Sequence, residues 1–447
     1  MAVRTTLARS IAFALAAFSG SAWAGQFDYS LYTTLEHSDN TELTTSNPIS
    51  TNVLEPGVNF AYTQQGSTLQ ANVTGNIEYR DYSGSTFDNQ TLAEVAGQMN
   101  WSIIPKRLDF TVQDYAGVEP VNSLAANAPD NQQQTNVVAL GPTLHFRVGD
   151  GMTGEADLHY INSYASKVTE FNSSRGDAAL RVFRDISPTD QLSGNIDVEH
   201  VDFNNTTVAG SNYTSYEAYA RYTSRLEQID IDAALGWSDI DFTHGASQSA
   251  PLARLTVGWR LSPHNTITLN GDYQYADAAQ DMLQPTNISV GGEQVPLQPL
   301  TEAIDTTRGG ISVGSVIISS DIYKERQLAL TYSYRDERLS FSLAPSYSKL
   351  DYVNQTMFDQ TGKGVGTSID YKLTPSMSIS AFAEGGRLVY ETIDRHDKQY
   401  RYGTAFTQQL TKHWSWSTSF VRLVQTSNAV GQSYHENEIY LTLVYKR

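Results

Sequence analysis

The sequence predicts an all-β fold, a transmembrane antiparallel up-and-down β-barrel of about 20 strands within a range of roughly 18 to 22. Three observations predict it: strict alternation of apolar and polar residues, recurrence of that alternation to the last residue, and no apolar run of the roughly 18 residues that a membrane helix needs. Residues 68–80 show the alternation best, with Leu69, Ile77 and Tyr79 on one face and Asn76 and Glu78 on the other. Strands of about 10 alternating residues suit a barrel that crosses a bilayer.

The first residues have the three parts of a secretory signal. Arg4 and Arg9 form a basic region, residues 10–19 form a short apolar core, and Ala22-Trp23-Ala24 is an A-x-A cleavage site. An apolar core of about 10 residues is too short to span a membrane as a helix. The sequence therefore predicts a cleaved signal peptide over 1–24, a barrel over 25–447, and a location in the outer membrane of a Gram-negative bacterium.

The alternating segments pair into ten predicted hairpins. The paired ranges are 27–37 with 51–63, 67–80 with 91–101, 107–118 with 134–147, 152–162 with 174–184, 191–203 with 212–224, 228–242 with 250–261, 265–276 with 325–335, 338–350 with 363–372, 377–391 with 398–410, and 414–427 with 435–446. Tight turns such as Thr374-Pro375-Ser376 join strands at one end, and long polar stretches such as 38–50 and 119–133 join them at the other. Short periplasmic turns and longer outer loops are typical of transmembrane barrels.

The segment 277–324 is much longer than an ordinary connection. Two interpretations stay open: a loop that folds into the lumen as a constriction, which we favour, or one more hairpin, which gives 22 strands. In the final strand Ile439, Leu441, Leu443 and Tyr445 alternate with Tyr440, Thr442 and Val444. An apolar final strand with an aromatic residue near its end predicts recognition by the barrel-assembly machinery. Outer-membrane lipids and lipopolysaccharide are the other expected partners.

Composition and motifs narrow the function. The net charge of −18 argues against nucleic acid as a partner, and the absence of cysteine excludes disulfides and Cys-ligated metal sites. The nine histidines are scattered without metal-ligand spacing, and no nucleophile or phosphate-loop motif is present. We therefore predict no catalytic residue, no cofactor and no metal, and a protein that is not an enzyme.

Parity along the strands assigns charged residues to the lumen, because a charge on the lipid face costs about 2–4 kcal/mol near the midplane. The candidate lumen-lining residues are Glu155, Asp157, Asp197, Glu199, Asp230, Asp232, Asp272, Arg221, Arg254 and Arg260, with His159 and Arg181 on the same faces. Two interpretations remain open. The charges form an ion-pair network that keeps the barrel rigid, or they line a wet, acidic pore that selects cargo.

Short motifs carry a family resemblance. Ser38-Asp39-Asn40, Leu54-Glu55-Pro56-Gly57-Val58, Gly66-Ser67-Thr68-Leu69, Pro129-Asp130-Asn131 and Gly141-Pro142 resemble the PEP-CTERM-system-associated outer-membrane β-barrel proteins, within a broader group of β-barrel porins. That resemblance implies a link to exopolysaccharide production and export, with polysaccharide and periplasmic export components as partners. It supplies no catalytic residues. The expected function is an outer-membrane conduit for exopolysaccharide export; the alternatives are a general diffusion porin for small solutes and a plugged structural or adhesive barrel.

Overall fold

A computed structural model describes residues 25–205, 212–283, 289–290, 293–294 and 317–447. Twenty strands form one antiparallel sheet, and the first strand pairs with the last, so the sheet closes into a barrel. The predicted fold class is therefore confirmed. The predicted signal peptide over 1–24 lies outside the described residues. Within the described part of the chain, no helix has the length and apolarity to cross a membrane.

The strands are long, from 13 to 18 residues. The first ten are β1 Gln26–Ser38, β2 Thr51–Gln65, β3 Leu69–Tyr82, β4 Gln90–Ile104, β5 Leu108–Pro120, β6 Gln132–Gly149, β7 Met152–Ala165, β8 Ser173–Asp185, β9 Asp190–Phe203 and β10 Tyr213–Arg225. The next ten are β11 Ile229–Phe242, β12 Gln248–Ser262, β13 Asn265–Asp277, β16 Ile322–Arg335, β17 Leu339–Tyr352, β18 Gln360–Thr374, β19 Met377–Tyr390, β20 Arg395–Gln409, β21 Trp414–Ser427 and β22 Tyr434–Lys446. All ten predicted hairpins are present, with ends shifted by a few residues.

The long connection after β13 does not add a barrel strand. β13 pairs directly with β16 over its whole length, from Asn265↔Tyr334 to Asp277↔Ile322. A short helix, α1 (Ala278–Leu283), follows β13, and β14 (Ser289–Val290) pairs only with β15 (Glu293–Gln294). The interpretation as one more barrel hairpin, which would give 22 strands, is therefore wrong, because the β13–β16 ladder leaves no edge for it.

The two faces of each strand differ as the alternation predicts. On β3, Glu78 is 4% exposed and its neighbour Tyr79 is 42% exposed. Large apolar side chains such as Leu158, Ile196 and Leu235 cover the outer face, where a transmembrane barrel meets lipid. Polar and charged side chains lie on the inner face. The strands join through turns of a few residues at one end, called here the short-turn end, and through longer loops at the other, the loop end.

Candidate functional site: the inner wall and the loop-end mouth

An ion-pair chain crosses three neighbouring strands of the inner wall. Asp157 on β7 contacts Nη1 of Arg181 on β8, and Nη2 of Arg181 donates to Oδ1 of Asp197 on β9 at 3.2 Å. The guanidinium therefore lies between two carboxylates. A buried carboxylate keeps its charge at tolerable cost only with such a partner, so the three side chains hold one another in place.

A second chain continues the belt across β10 to β16. Nη2 of Arg254 donates to Glu217 at 3.0 Å, and its Nε donates to Oε1 of Gln274 at 2.5 Å. The amide nitrogen of Gln274 in turn donates to Glu325 at 3.4 Å. Asp272 lies directly opposite Arg254 in the β12–β13 register. Together the two chains form a belt of arginines and carboxylates that extends from β7 to β16, over eight of the twenty barrel strands.

Two further pairs lie nearer the short-turn end. Arg221 on β10 binds Asp232 on β11 with two nitrogens, Nε to Oδ1 at 2.7 Å and Nη2 to Oδ2. Arg260 pairs with Asp230 at 3.2 Å and donates to the carbonyl of Leu226 in the adjacent turn. Because Asp230 and Arg260 are both exposed, their pairing is weak and their charges stay accessible to water.

The histidines of this wall pair with carboxylates. The ring of His145 lies between Asp109 at 3.1 Å and Glu155 at 3.2 Å. His159 contacts Asp177 at 3.4 Å and the hydroxyl of Thr111 at 3.0 Å. Across the described residues, no group of three or more His, Asp or Glu side chains is arranged to share a metal ion.

A buried clamp closes the loop end of this wall. Arg175 on β8 donates to Asp277 at 2.6 Å and to Glu199 on β9 at 3.3 Å. Asp277, at the end of β13, also accepts the hydroxyl hydrogen of Tyr213 at 2.5 Å. Its other oxygen accepts the backbone N–H of Ala279 at 2.9 Å, so Asp277 caps the first turn of α1. One carboxylate thereby ties α1 to the wall.

The clamp directs α1 across the mouth onto an apolar area of the opposite wall. α1 contacts β5 and β6, which lie eight and seven strands away from β13 in the barrel order. The buried apolar cluster there combines residues of β6, β7 and the loop after β7 with residues from both ends of the long connection. Its members are Val137, Ala139, Ala165, Val168, Phe171, Ala278, Ala279, Met282, Leu283 and Ile318. Exposure of these apolar side chains to water in the lumen would cost free energy, and α1 removes that cost by covering them.

Asp281 on α1 lies against the wall on the β16 side. The hydroxyl of Tyr323 donates to its Oδ2. Burial, and after it the negative charge of Glu325, raises the pKa of Asp281 well above the usual range of aspartate. The docked helix therefore favours the protonated form of this side chain.

A second loop also crosses the mouth. The carbonyl oxygen of Leu124, in loop 121–131, accepts a hydrogen bond from Nη1 of Arg395 on β20 at 2.5 Å. Arg395 is held by Asp397 through contacts of 2.7 to 3.1 Å. A side chain of β20 thus fixes a loop that belongs to β5 and β6. Helix α1 and loop 121–131 together narrow the loop end.

The structure distributes the ten predicted lumen residues over three levels. Glu199 lies in the mouth clamp. Five residues lie within four positions of the short-turn end of their strand, namely Glu155, Arg221, Asp230, Asp232 and Arg260, and the other four lie between these two levels. Sequence reasoning missed Arg175, Glu217 and Asp277. Parity could have found two of them, since Arg175 shares the face of Arg181 and Glu217 shares the face of Arg221. Asp277 carried no signal, because it lies where strand alternation stops.

Comparison with known proteins yields likeness of fold alone. No family model matches the sequence, and no curated protein matches it. Among solved structures, a mutant of the ferric enterobactin receptor PfeA of Pseudomonas aeruginosa has a TM-score of 0.45 and 11% identity, covering 94% of this chain and 80% of that one. The siderophore receptor PirA of Acinetobacter baumannii has a TM-score of 0.48 and 9% identity, covering 94% of this chain and 80% of that one. OccK2 (OpdF) of P. aeruginosa has a TM-score of 0.38 and 7% identity, covering 95% of this chain and 97% of that one. At these scores we transfer no function from them.

Proposed function

We propose that this protein is an outer-membrane conduit for a polar polymer, with exopolysaccharide export as its role. The main observation in support of this proposal is the belt of paired charges on the inner wall of a closed barrel of twenty strands. In barrels of roughly 16 to 22 strands the wall side chains alone cannot fill the interior, which then holds water or a plug. A wall rich in carboxylates and hydroxyls suits a hydrated passage.

The choice of cargo has three supports. Carboxylates of the wall that keep exposure to water, such as Glu155 and Asp230, can accept hydrogen bonds from the hydroxyl groups of a saccharide. The acidic balance of the chain disfavours a strongly polyanionic polymer and leaves a neutral or partly cationic one. The family resemblance points to the same role. The described ends of the long connection fit the predicted constriction; residues 284–288, 291–292 and 295–316 of the predicted loop 277–324 lie outside the described residues.

Conductance measurement tests the conduit. Purified folded protein in planar bilayers is expected to give discrete channel currents, and these should rise when the mouth is loosened by Asp277→Asn. A complete absence of current in both proteins would overturn the conduit and favour the plugged structural or adhesive barrel.

Secretion tests the cargo. A strain that lacks the gene is expected to retain exopolysaccharide in the periplasm and to regain secretion on complementation. Normal secretion combined with slower uptake of small nutrients would contradict the export role and favour a general diffusion porin.

A further inference from the structure

The outer face of the barrel carries a basic patch at the loop end, although the chain as a whole is strongly acidic. Its members lie on five consecutive barrel strands, β16 to β20, and we call them the outer basic patch: Lys324, Arg326, Lys349, Lys363, Arg387 and Lys398. Each has the strand parity of exposed lipid-facing residues, as Arg326 shares the face of Leu328 and Lys398 that of Tyr400. These cations therefore point away from the lumen.

The register places like charges side by side. Lys363 is the direct cross-strand partner of Arg387, and Arg387 is that of Lys398. Arg326 is likewise opposite Lys349. Like charges directly opposite each other destabilise a sheet, so the arrangement needs a compensating anion.

The protein compensates only part of this charge. Asp351 and Glu391 pair with Lys349 at 3.5 and 3.2 Å, and Asp351 also pairs with Arg326 at 3.3 Å. In the described part of the chain, no carboxylate lies within ion-pair distance of the row Lys363, Arg387 and Lys398. The row is exposed, and Lys363 lies over the ring of Tyr347 with 5.9 Å between Nζ and the ring centroid.

The row Lys363, Arg387 and Lys398 lies at the level along the barrel axis that is expected for lipid headgroups. Lys363 and Lys398 each lie 11 residues from the short-turn ends of their strands. At about 3.3 Å per residue and a tilt of about 40°, this separation is roughly 28 Å along the barrel axis, close to the apolar belt of about 25 Å. Val365 and Tyr400, just below the row, are exposed apolar and aromatic side chains of the kind found at this boundary.

A nearby arc of the rim has the reverse charge. Asp202, Asp239 and Asp241 are exposed on the outer face at the loop ends of β9 and β11. An even spread of charge would serve solubility of the loop end. A separation into a basic and an acidic arc instead indicates that one arc binds an anion.

We propose that the outer basic patch binds the phosphorylated headgroup of lipopolysaccharide in the outer leaflet. Arginine offers a planar fork to a phosphate and the lysines add point charges, so the row Lys363, Arg387 and Lys398 holds phosphate while the acyl chains lie on the apolar belt below. Tyr273 stacks against Arg326, with 5.6 Å between the guanidinium carbon and the ring centroid, and helps to define the patch. The proposal holds whatever cargo the barrel carries.

Titration of folded protein in zwitterionic detergent with fluorescent rough-type lipopolysaccharide tests the site. The triple variant Lys363→Thr, Arg387→Thr, Lys398→Thr is expected to bind at least tenfold more weakly. The matched control is the triple variant Arg335→Thr, Arg338→Thr, Lys372→Thr, which removes the same charge at the exposed short-turn end of neighbouring strands and is expected to stay within twofold.

The proposal would be overturned if both triple variants lost binding of lipopolysaccharide to the same extent. It would also be overturned if the triple variant of Lys363, Arg387 and Lys398 bound as tightly as the wild type. With dephosphorylated lipopolysaccharide, the wild type and the first triple variant are expected to bind equally. The proposal would also be overturned if wild-type protein bound phosphatidylglycerol micelles as tightly as lipopolysaccharide, because the patch would then bind anionic lipids in general. Heat-modifiable electrophoretic mobility reports folding, and if the triple variant fails to fold, the three single variants decide, with a loss of about two- to threefold expected for each.

Discussion

Replacing Arg175 with methionine removes the cation of the mouth clamp and keeps most of the side-chain volume. Arg175 is 3% exposed and holds both Asp277 and Glu199. The substitution leaves two buried carboxylates without their cation. Because the barrel itself is held by twenty backbone ladders, we expect the barrel to survive and α1 to leave its docked position more often.

The magnitude follows from the burial of the pair. Removing one partner of a buried ion pair costs about 3–5 kcal/mol, which corresponds to an increase of roughly 10²- to 4 × 10³-fold in the population of the undocked helix. Water entering the mouth lowers this cost, so the range is an upper limit. Arg181→Met is the matched control, since Arg181 lies on the same strand between two carboxylates but makes none of the clamp contacts.

The chain has no cysteine, so one introduced thiol reports on docking. Ala279→Cys places that thiol on α1 at a position that is 1% exposed in the docked helix, and Val430→Cys, at a position that is 100% exposed, gives the unhindered rate. Reaction with a water-soluble maleimide is expected to be slow at position 279, to accelerate at least tenfold with Arg175→Met, and to stay slow with Arg181→Met.

Equal acceleration by both substitutions would refute the reasoning, because it would mean that any loss of wall charge loosens the mouth. No acceleration by Arg175→Met would refute it too, since the apolar contacts of α1 would then hold the helix without the clamp. A second substitution, Asp277→Asn in the Arg175→Met background, measures the coupling between the two side chains.

Three further predictions concern the mouth and the wall. Because burial against the wall raises the pKa of Asp281, docking of α1 takes up a proton above the ordinary aspartate pKa of about 3.9 and weakens as the pH rises from there through the raised pKa. Asp281→Asn should therefore reduce the pH dependence of labelling at position 279 after normalisation to position 430. Arg395→Met should release loop 121–131 and speed labelling of Ser123→Cys about tenfold, because the Leu124 carbonyl loses its charged donor; an unchanged rate would show that the loop is held by its own contacts. Gly141→Ala should lower the denaturant midpoint through a cost of about 1–3 kcal/mol, since its Cβ would overlap the carbonyl oxygen of Leu158, whereas Gly176→Ala meets no atom within 4 Å and should change little.

The fold was accessible from the sequence because a barrel strand repeats a local rule. Each residue of β3 alternates between lipid and lumen, so Tyr79 and Glu78 reveal their faces without knowledge of the neighbouring strand. Turn residues then separate the strands. The same rule placed the charges of Asp157, Asp197 and Arg254 on the inner wall.

The pairing of those charges was not accessible. Whether Arg254 meets Glu217 or Asp272 depends on the register of four strands, β10 to β13, and on side-chain rotamers, and no local pattern encodes either. The mouth clamp is still harder to predict from the sequence, because Asp277, Arg175 and Glu199 come from segments up to 102 residues apart. Alternation also stops at Asp277, so parity gives no assignment at that position.

The sequence by itself determined the barrel, its approximate strand count, the two faces of each strand and the separation of short turns from long loops, since all of these follow from a period of two and from turn chemistry. Only the tertiary structure decided that the long connection leaves the ladder, that α1 crosses the mouth to an apolar area on β5 and β6, and that six outward cations align on one arc of the rim. The physical reason is that these features arise from strands brought side by side by register and closure, which place residues distant in sequence within a few ångströms of each other.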